Sequence, residues 1–147
     1  MRELASPSMY IIDGDTRHKK RRENEMDSTI MIVDDSASVR QMVAFTLEDA
    51  GYTVVEAENG KAAIEKLNGP RINMFILDLN MPDMDGVELT NSLRSMDRYR
   101  STPIIMLSTE SHSSEKLRAK DAGANGWITK PFKPDQLVNV IKTVVTA

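Results

Sequence analysis

Five polar residues stand where they could do chemistry together. Asp34 and Asp35 close the apolar run Thr29-Ile30-Met31-Ile32-Val33, and Asp78 closes Met74-Phe75-Ile76-Leu77. Ser108 closes Pro103-Ile104-Ile105-Met106-Leu107, and Lys130 follows Gly126–Thr129. Each has an ordinary explanation alone: an Asp after a strand caps a helix, a Ser makes a turn, a Lys is solvated. Their recurrence at successive run ends, among otherwise apolar residues, points to one shared site. Three carboxylates held close together repel, which calls for a hard divalent cation with oxygen ligands. Mg²⁺ fits, because it keeps several waters and joins a phosphate. A metal-neutralised carboxylate is also a nucleophile toward phosphorus and gives an acyl phosphate. Charge developing on the equatorial oxygens must meet metal, ammonium and hydroxyl donors. Lys130 and Ser108 would supply the last two.

Placing these residues requires alternating strands and helices. Short continuous apolar runs are the mark of strands buried on both faces. Ser36 is a natural N-cap for a helix in which Val39, Met42, Val43 and Leu47 recur at helical spacing up to Ala50, with Gly51 as its stop. Tyr52–Ala57 reads as a strand, Asn59-Gly60 as a turn and Ala62–Leu67 as a helix broken by Asn68-Gly69-Pro70. Further helices are expected over Gly86–Met96, Ser114–Ala122 and Asp135–Val145, the last started by Pro134. The pattern predicts an α/β fold: a doubly wound parallel sheet of five strands with helices on both faces. Ligands of such sheets lie beyond the carboxyl ends of the strands, where the winding reverses. That is where the five polar residues stand.

Composition narrows the function. The 147 residues suit one domain, and 40% apolar with 28% charged residues is the balance of a globular chain with a core. The absence of cysteine excludes disulfides and thiolate metal sites. No apolar run approaches the roughly 18–20 residues that span a bilayer. No signal-peptide pattern is seen, so a cytoplasmic location is expected. Residues 1–28 carry six basic and six acidic side chains, so the net charge of −3 lies wholly in residues 29–147. Nucleic-acid binding by charge is therefore not expected there.

Residues 1–28 show few apolar side chains and no sustained period. They are expected to form a disordered or loosely attached extension to a domain over residues 29–147. The basic run Lys19–Arg22 is diluted by Glu23, Glu25 and Asp27 and reads as a solvated tail. Arg21-Arg22 could also be encoded as a ribosome-binding sequence three codons before Met26, which would make Met26 the natural start.

The site residues, taken with their surroundings, resemble the receiver domains of bacterial response regulators. The resemblance covers residues 29–147. It rests on Asp34-Asp35, the run Leu77-Asp78-Leu79-Asn80-Met81-Pro82-Asp83-Met84-Asp85-Gly86, Ser108-Thr109 and Lys130-Pro131-Phe132. Single-domain chemotaxis regulators are the most similar branch. The resemblance implies a flavodoxin-like strand order 2-1-3-4-5 and a phosphoacceptor at Asp78, served by a sensor histidine kinase of the chemotaxis type. It implies Mg²⁺ held by Asp35, Asp78 and the backbone carbonyl of Asn80, with Asp34 acting largely through water. Lys130 would pair with the phosphoryl group and Ser108 would hydrogen-bond it. The Lys130–Pro131 peptide is expected to be cis, a form that proline alone adopts readily.

Two further roles follow from the resemblance. Trp127 stands at the aromatic switch position, where Tyr or Phe is more usual, and would move inward when Ser108 is drawn to the phosphate. Indole is larger, and its N–H needs a partner when buried. Asn80 and Glu110 occupy positions that tune attack of water on the acyl phosphate, and this pairing implies a short-lived signal. Because the chain ends directly after the last helix, output is expected through protein binding by a monomer, on the face of the fourth helix, fifth strand and fifth helix. The flagellar motor switch is the expected target, and the kinase is expected near Val39 and Met42. The alternative is a relay intermediate that hands its phosphate to a phosphotransfer protein. A phosphohydrolase of the haloacid dehalogenase type is disfavoured, since it needs an acid where Asn80 stands. No other enzyme activity is expected beyond the protein's own phosphorylation and dephosphorylation.

Overall fold

The computed structural model describes residues 28–109 and 112–146. The elements alternate as β1 (Thr29–Val33), α1 (Ala37–Asp49), β2 (Thr53–Ala57), α2 (Gly60–Glu65), β3 (Met74–Asp78), α3 (Gly86–Arg94), β4 (Ile104–Ser108), α4 (Ser113–Ala122), β5 (Gly126–Thr129) and α5 (Pro134–Thr146). Single 3₁₀ turns follow α2 (Lys66–Asn68) and α3 (Asp97–Tyr99). The five strands are all parallel and ordered β2-β1-β3-β4-β5, as expected.

Alternation along the strands divides the core into two layers. Met31, Val33, Phe75, Leu77, Ile104 and Met106 face α2 with its following 3₁₀ turn, α3 and α4, which contribute Ala63, Leu67, Val87, Leu89, Leu93 and Ala119. Ile30, Ile32, Met74, Ile76, Ile105, Leu107 and Ile128 face α1 and α5, which contribute Val43, Leu47, Leu137 and Ile141. A strand apolar on both sides is what a parallel sheet covered by helices on both faces demands. β1, β3 and β4 therefore form the dry centre, and β3 and β4 are buried at every position.

Element ends follow capping chemistry. Ser36 accepts a hydrogen bond from the Val39 N–H, as its N-cap position requires. Asn59 likewise accepts from the Ala62 N–H at 2.8 Å, so the expected Asn59-Gly60 turn is the N-cap and first residue of α2. Asp85 and Glu88 form a reciprocal capping box at α3. That helix stops at Arg94 rather than Met96, because Met96 turns extended and leads into the 3₁₀ turn. Strand β2 starts one residue later than expected, α4 one residue earlier, and α5 extends by one residue at each end. Gly123 ends α4 at φ 113°, a conformation that only glycine adopts readily. Residues 1–27, and with them the expected extension and its basic run, lie outside the described residues.

Candidate functional site

The winding reverses between β1 and β3, and both strands deliver carboxylates there. Asp34 and Asp35 leave the end of β1, and Asp78 ends β3. One carboxylate oxygen from each lies within 4.8 Å of the other two. Asp34 is fully buried and Asp78 is 5% exposed, whereas Asp35 is exposed. Both oxygens of Asp34 are engaged: Oδ1 accepts from the Ser36 N–H at 2.8 Å, and Oδ2 from Lys130 Nζ at 3.0 Å. Asp35 makes no hydrogen bond or ion pair with the described residues. Asp35 is thus the carboxylate most open to a ligand.

Lys130 enters from the end of β5. Its backbone N–H donates to the Ser108 carbonyl at 2.8 Å, which joins the ends of β4 and β5. Its Nζ donates to Asp34 Oδ2 and, at 3.2 Å, to Asp78 Oδ1. The Lys130–Pro131 peptide is cis, as expected. Burial acts to lower the Lys130 pKa, but the hydrogen bond to Asp34 and the charges of Asp78 and Asp34 outweigh it and hold the ammonium above its usual value. Asp78 responds in the opposite sense. Burial first, then the Asp34 charge, raises its pKa from 3.8 to about 6 against the lowering effects of Lys130 and the Asn80 backbone. Deep burial and a second carboxylate therefore outweigh one ammonium. The oxygen-only donor set and its uncompensated negative charge fit a hard divalent cation.

The loop after Asp78 is shaped by close contacts. The Gly86 N–H donates to the Leu79 carbonyl at 2.9 Å. A Cβ on Gly86 would stand 2.6 Å from Met106 Sδ and 2.7 Å from the Asp78 carbonyl oxygen. Only glycine lets α3 start this close to β3. Between them, Asp83 adopts φ 70° and the Met84 N–H donates to the Pro82 carbonyl at 2.7 Å. Asn80 is exposed at the rim. Glu110 lies outside the described residues.

Ser108 is fully buried at the end of β4, paired with Thr129, and reaches the same sheet edge as Asp78. Alternation assigns it to the side of Met106, the layer into which Trp127 packs from β5. Trp127 is only half-buried, as its size suggested. Its Nε1 is nevertheless buried and has no hydrogen-bond partner among the described residues, and Lys116 Nζ lies 6.0 Å from the ring centroid. A cavity of about 230 Å³ between α4 and β5 adjoins it. Around the first helix, Val39 and Met42 pack partly into the core, and the exposed apolar side chain there is Phe45, at 73%.

One contributor to the site was not apparent beforehand. Arg40 Nη1 donates to the Asp34 backbone carbonyl at 2.6 Å, and its Nε lies 3.4 Å from Glu56 Oε1. Arg40 thereby ties the turn after β1 to β2. Its signal in the sequence is faint: a basic residue in the second turn of a helix that begins beside two acids.

Comparison with known proteins agrees with this geometry. The family model described as "Response regulator receiver domain" matches residues 30–142. The chain is similar to the chemotaxis protein CheY1 of Helicobacter pylori, at 40% identity over 118 residues, covering 79% of this chain and 95% of that protein. It is also similar to the phosphate regulon transcriptional regulatory protein PhoB of Escherichia coli, at 36% identity over 120 residues. That match covers 82% of this chain but 52% of PhoB, so the chain spans about half the length of that relative. Among solved structures, the chemotaxis protein CheY4 of Vibrio cholerae superimposes with a TM-score of 0.78 at 42% identity, covering 80% of this chain and 98% of that one. The architecture, the acidic cluster beneath Lys130 and these similarities converge: the chain belongs to the response regulator receiver domain family.

Proposed function

We propose that Asp78 accepts a phosphoryl group from a phosphohistidine on a sensor histidine kinase in an Mg²⁺-dependent reaction. The observation that carries this reading is the convergence of Asp34, Asp35 and Asp78 within 4.8 Å under the ammonium of Lys130. An ionised Asp78 oxygen attacks phosphorus as the P–N bond breaks, and the bonding pair leaves with the imidazole nitrogen. Lys130, 3.2 Å from Asp78 Oδ1, pairs with the phosphoryl oxygens, and Ser108 donates to them from β4. Asp35, Asp78 and the Asn80 carbonyl would hold Mg²⁺, with Asp34 acting through water. The ion would neutralise the acidic cluster and the phosphoryl charge. Water then attacks the phosphorus of the acyl phosphate, with Asn80 and Glu110 governing its access; the P–O bond to Asp78 breaks, inorganic phosphate leaves and the free carboxylate returns. The chain acts catalytically only on itself.

The phosphorylated state would be read by another protein on the face of α4, β5 and α5. Leu117 is 57% exposed on α4, and the indole N–H of Trp127, without a partner among the described residues, is buried beside that helix. Both features support a surface that changes with phosphorylation. Near-complete coverage of CheY1 supports chemotaxis output in the cytoplasm, with a flagellar motor switch as target and a chemotaxis kinase docking around α1 and its exposed Phe45. The comparable similarity to PhoB supports the shared phosphoacceptor chemistry rather than one output.

Incubation with acetyl phosphate and Mg²⁺, followed by intact mass measurement, tests the central claim. One added phosphoryl group is expected, absent in Asp78→Ala and in chelator. Phosphorylation that persists in Asp78→Ala would remove Asp78 from its role.

A further inference from the structure

Gly60 opens α2, yet nothing local calls for a glycine there. Glycine costs helix stability relative to alanine. Its φ is not in the left-handed region, which Gly51 and Gly123 occupy, so its backbone freedom is not used. The reason lies on another part of the chain. A Cβ on Gly60 would stand 2.6 Å from Met84 Sδ, 3.2 Å from its Cγ and 3.3 Å from its Cβ. Rotation of the thioether could relieve the first distance. The Cγ and Cβ follow the Met84 backbone closely and cannot retreat without it. Gly60 is buried, so Met84 fills the place where a side chain would stand.

Met84 belongs to the loop between Asp78 and α3. Leu79 and Met81 point inward there, Asn80, Pro82 and Asp83 outward, and Met84 is half-buried against the core. The turn before Met84 is difficult to hold. Asp83 has φ 70°, and the Met84 N–H donates to the Pro82 carbonyl at 2.7 Å. A three-residue turn of this kind is rare and strained, and it persists only where its surroundings fix it. On the α3 side, the Gly86 N–H bond to Leu79 and the capping box of Asp85 and Glu88 do so. On the α2 side, the contact of Met84 with Gly60 does so. Asn80 lies within the span of these anchors, two residues after Asp78.

We propose that Gly60 and Met84 are positioning residues for Mg²⁺: Met84, seated against Gly60, fixes the loop that aims the Asn80 carbonyl at the ion. The inference rests on the Mg²⁺-dependent reading above and extends it to α2, which supplies no ligand. A backbone carbonyl has no side-chain torsion with which to turn toward an ion, so its aim depends on the loop that carries it. Groups that orient a ligand in this way govern metal affinity without touching the metal.

The test titrates the ¹⁵N-labelled full chain with MgCl₂, without a phosphodonor, and follows the Leu79 and Asn80 amides. Saturable shifts are expected in the parent chain. Gly60→Ala is expected to weaken Mg²⁺ binding about tenfold. Met84→Ala, which removes the contact without a clash, should weaken it several-fold in a chain whose spectrum is unchanged elsewhere. In the Met84→Ala background, Gly60→Ala should cost less than about twofold more, because the two closest atoms are gone and the two changes are coupled. Equal losses from Gly60→Ala in both backgrounds, or parent-like affinity in Gly60→Ala, would overturn the inference while leaving the Mg²⁺ reading intact. Parent-like affinity in Met84→Ala would do the same, and it decides the matter if Gly60→Ala does not fold. A parent chain that binds no Mg²⁺ would overturn both.

Discussion

Asp78 carries a conflict that the rest of the site resolves. It must be ionised to act as a nucleophile, yet burial and Asp34 raise its pKa to about 6. The native state then binds this proton more tightly than the unfolded chain does. Stability is unaffected below pH 3.8, falls as the pH rises toward 6, and carries the full penalty above it. A shift of this size corresponds to about 3 kcal/mol. In magnesium-free buffer, Asp78→Asn should therefore be more stable than the parent at pH 8, by about 1–3 kcal/mol. The gap should close as the pH approaches 4. Urea unfolding at several pH values measures it, and a gap independent of pH would refute this account. Strain of this kind is common where a site is built for binding or reaction.

At the scale of elements, α3 owes its position to two contacts. Gly86→Ala would drive a Cβ into the Asp78 carbonyl oxygen and Met106 Sδ. The side chain of Met106 can yield, but the backbone of Asp78 cannot yield without moving the nucleophile. A loss of about 1–3 kcal/mol is expected from overpacking. Slower labelling by acetyl phosphate should accompany it, whereas a purely structural defect would leave the labelling rate of the folded fraction unchanged. The other contact is Arg94 at the far end of the helix. Its guanidinium donates to the carbonyls of Tyr99, Thr102 and Gly123 and to Asn125 Oδ1. Arg94→Met keeps most of the bulk but orphans these acceptors, at a cost of about 2–4 kcal/mol. Arg100→Ala removes only an exposed pair with Asp97 and should change stability by less than about 0.5 kcal/mol. Denaturant midpoints of the two variants give the comparison.

Across the whole molecule, the functional question is how an event at the end of β3 reaches a surface on α4 and β5. The path offered is short. The Ser108 carbonyl is bonded to the Lys130 N–H, and Ser108 shares its face of the sheet with Trp127 two residues down the neighbouring strand. The indole N–H is buried without an acceptor among the described residues, so none of them locks the ring in place by a hydrogen bond to that atom. Trp127 is the one tryptophan in the chain, which makes its emission a clean reporter. Addition of beryllofluoride with Mg²⁺ should shift that emission in the parent chain and leave Asp78→Asn unchanged. A parent spectrum that stays constant while the adduct forms would exclude Trp127 as the switch.

The sequence by itself determined the architecture and the principal chemical residues. Fully apolar strands such as Met74–Leu77 state their burial directly, and Asp34, Asp78, Ser108 and Lys130 stand at strand ends, where the fold alone brings them together. The boundaries of α2 and α3 were less legible. An Asn-Gly pair serves equally as a turn or as a cap and first helical residue, and the choice depends on which N–H reaches Asn59 Oδ1. Only the tertiary structure decided that Arg40 grips the Asp34 carbonyl, that Lys130 spans two carboxylates and that Phe45 rather than Met42 is the exposed large apolar side chain of α1. It also decided that Met84 lies against Gly60. Local pattern reports which faces a residue prefers. The partner it meets across many intervening residues is set by strand order and helix packing, which no short stretch of sequence contains.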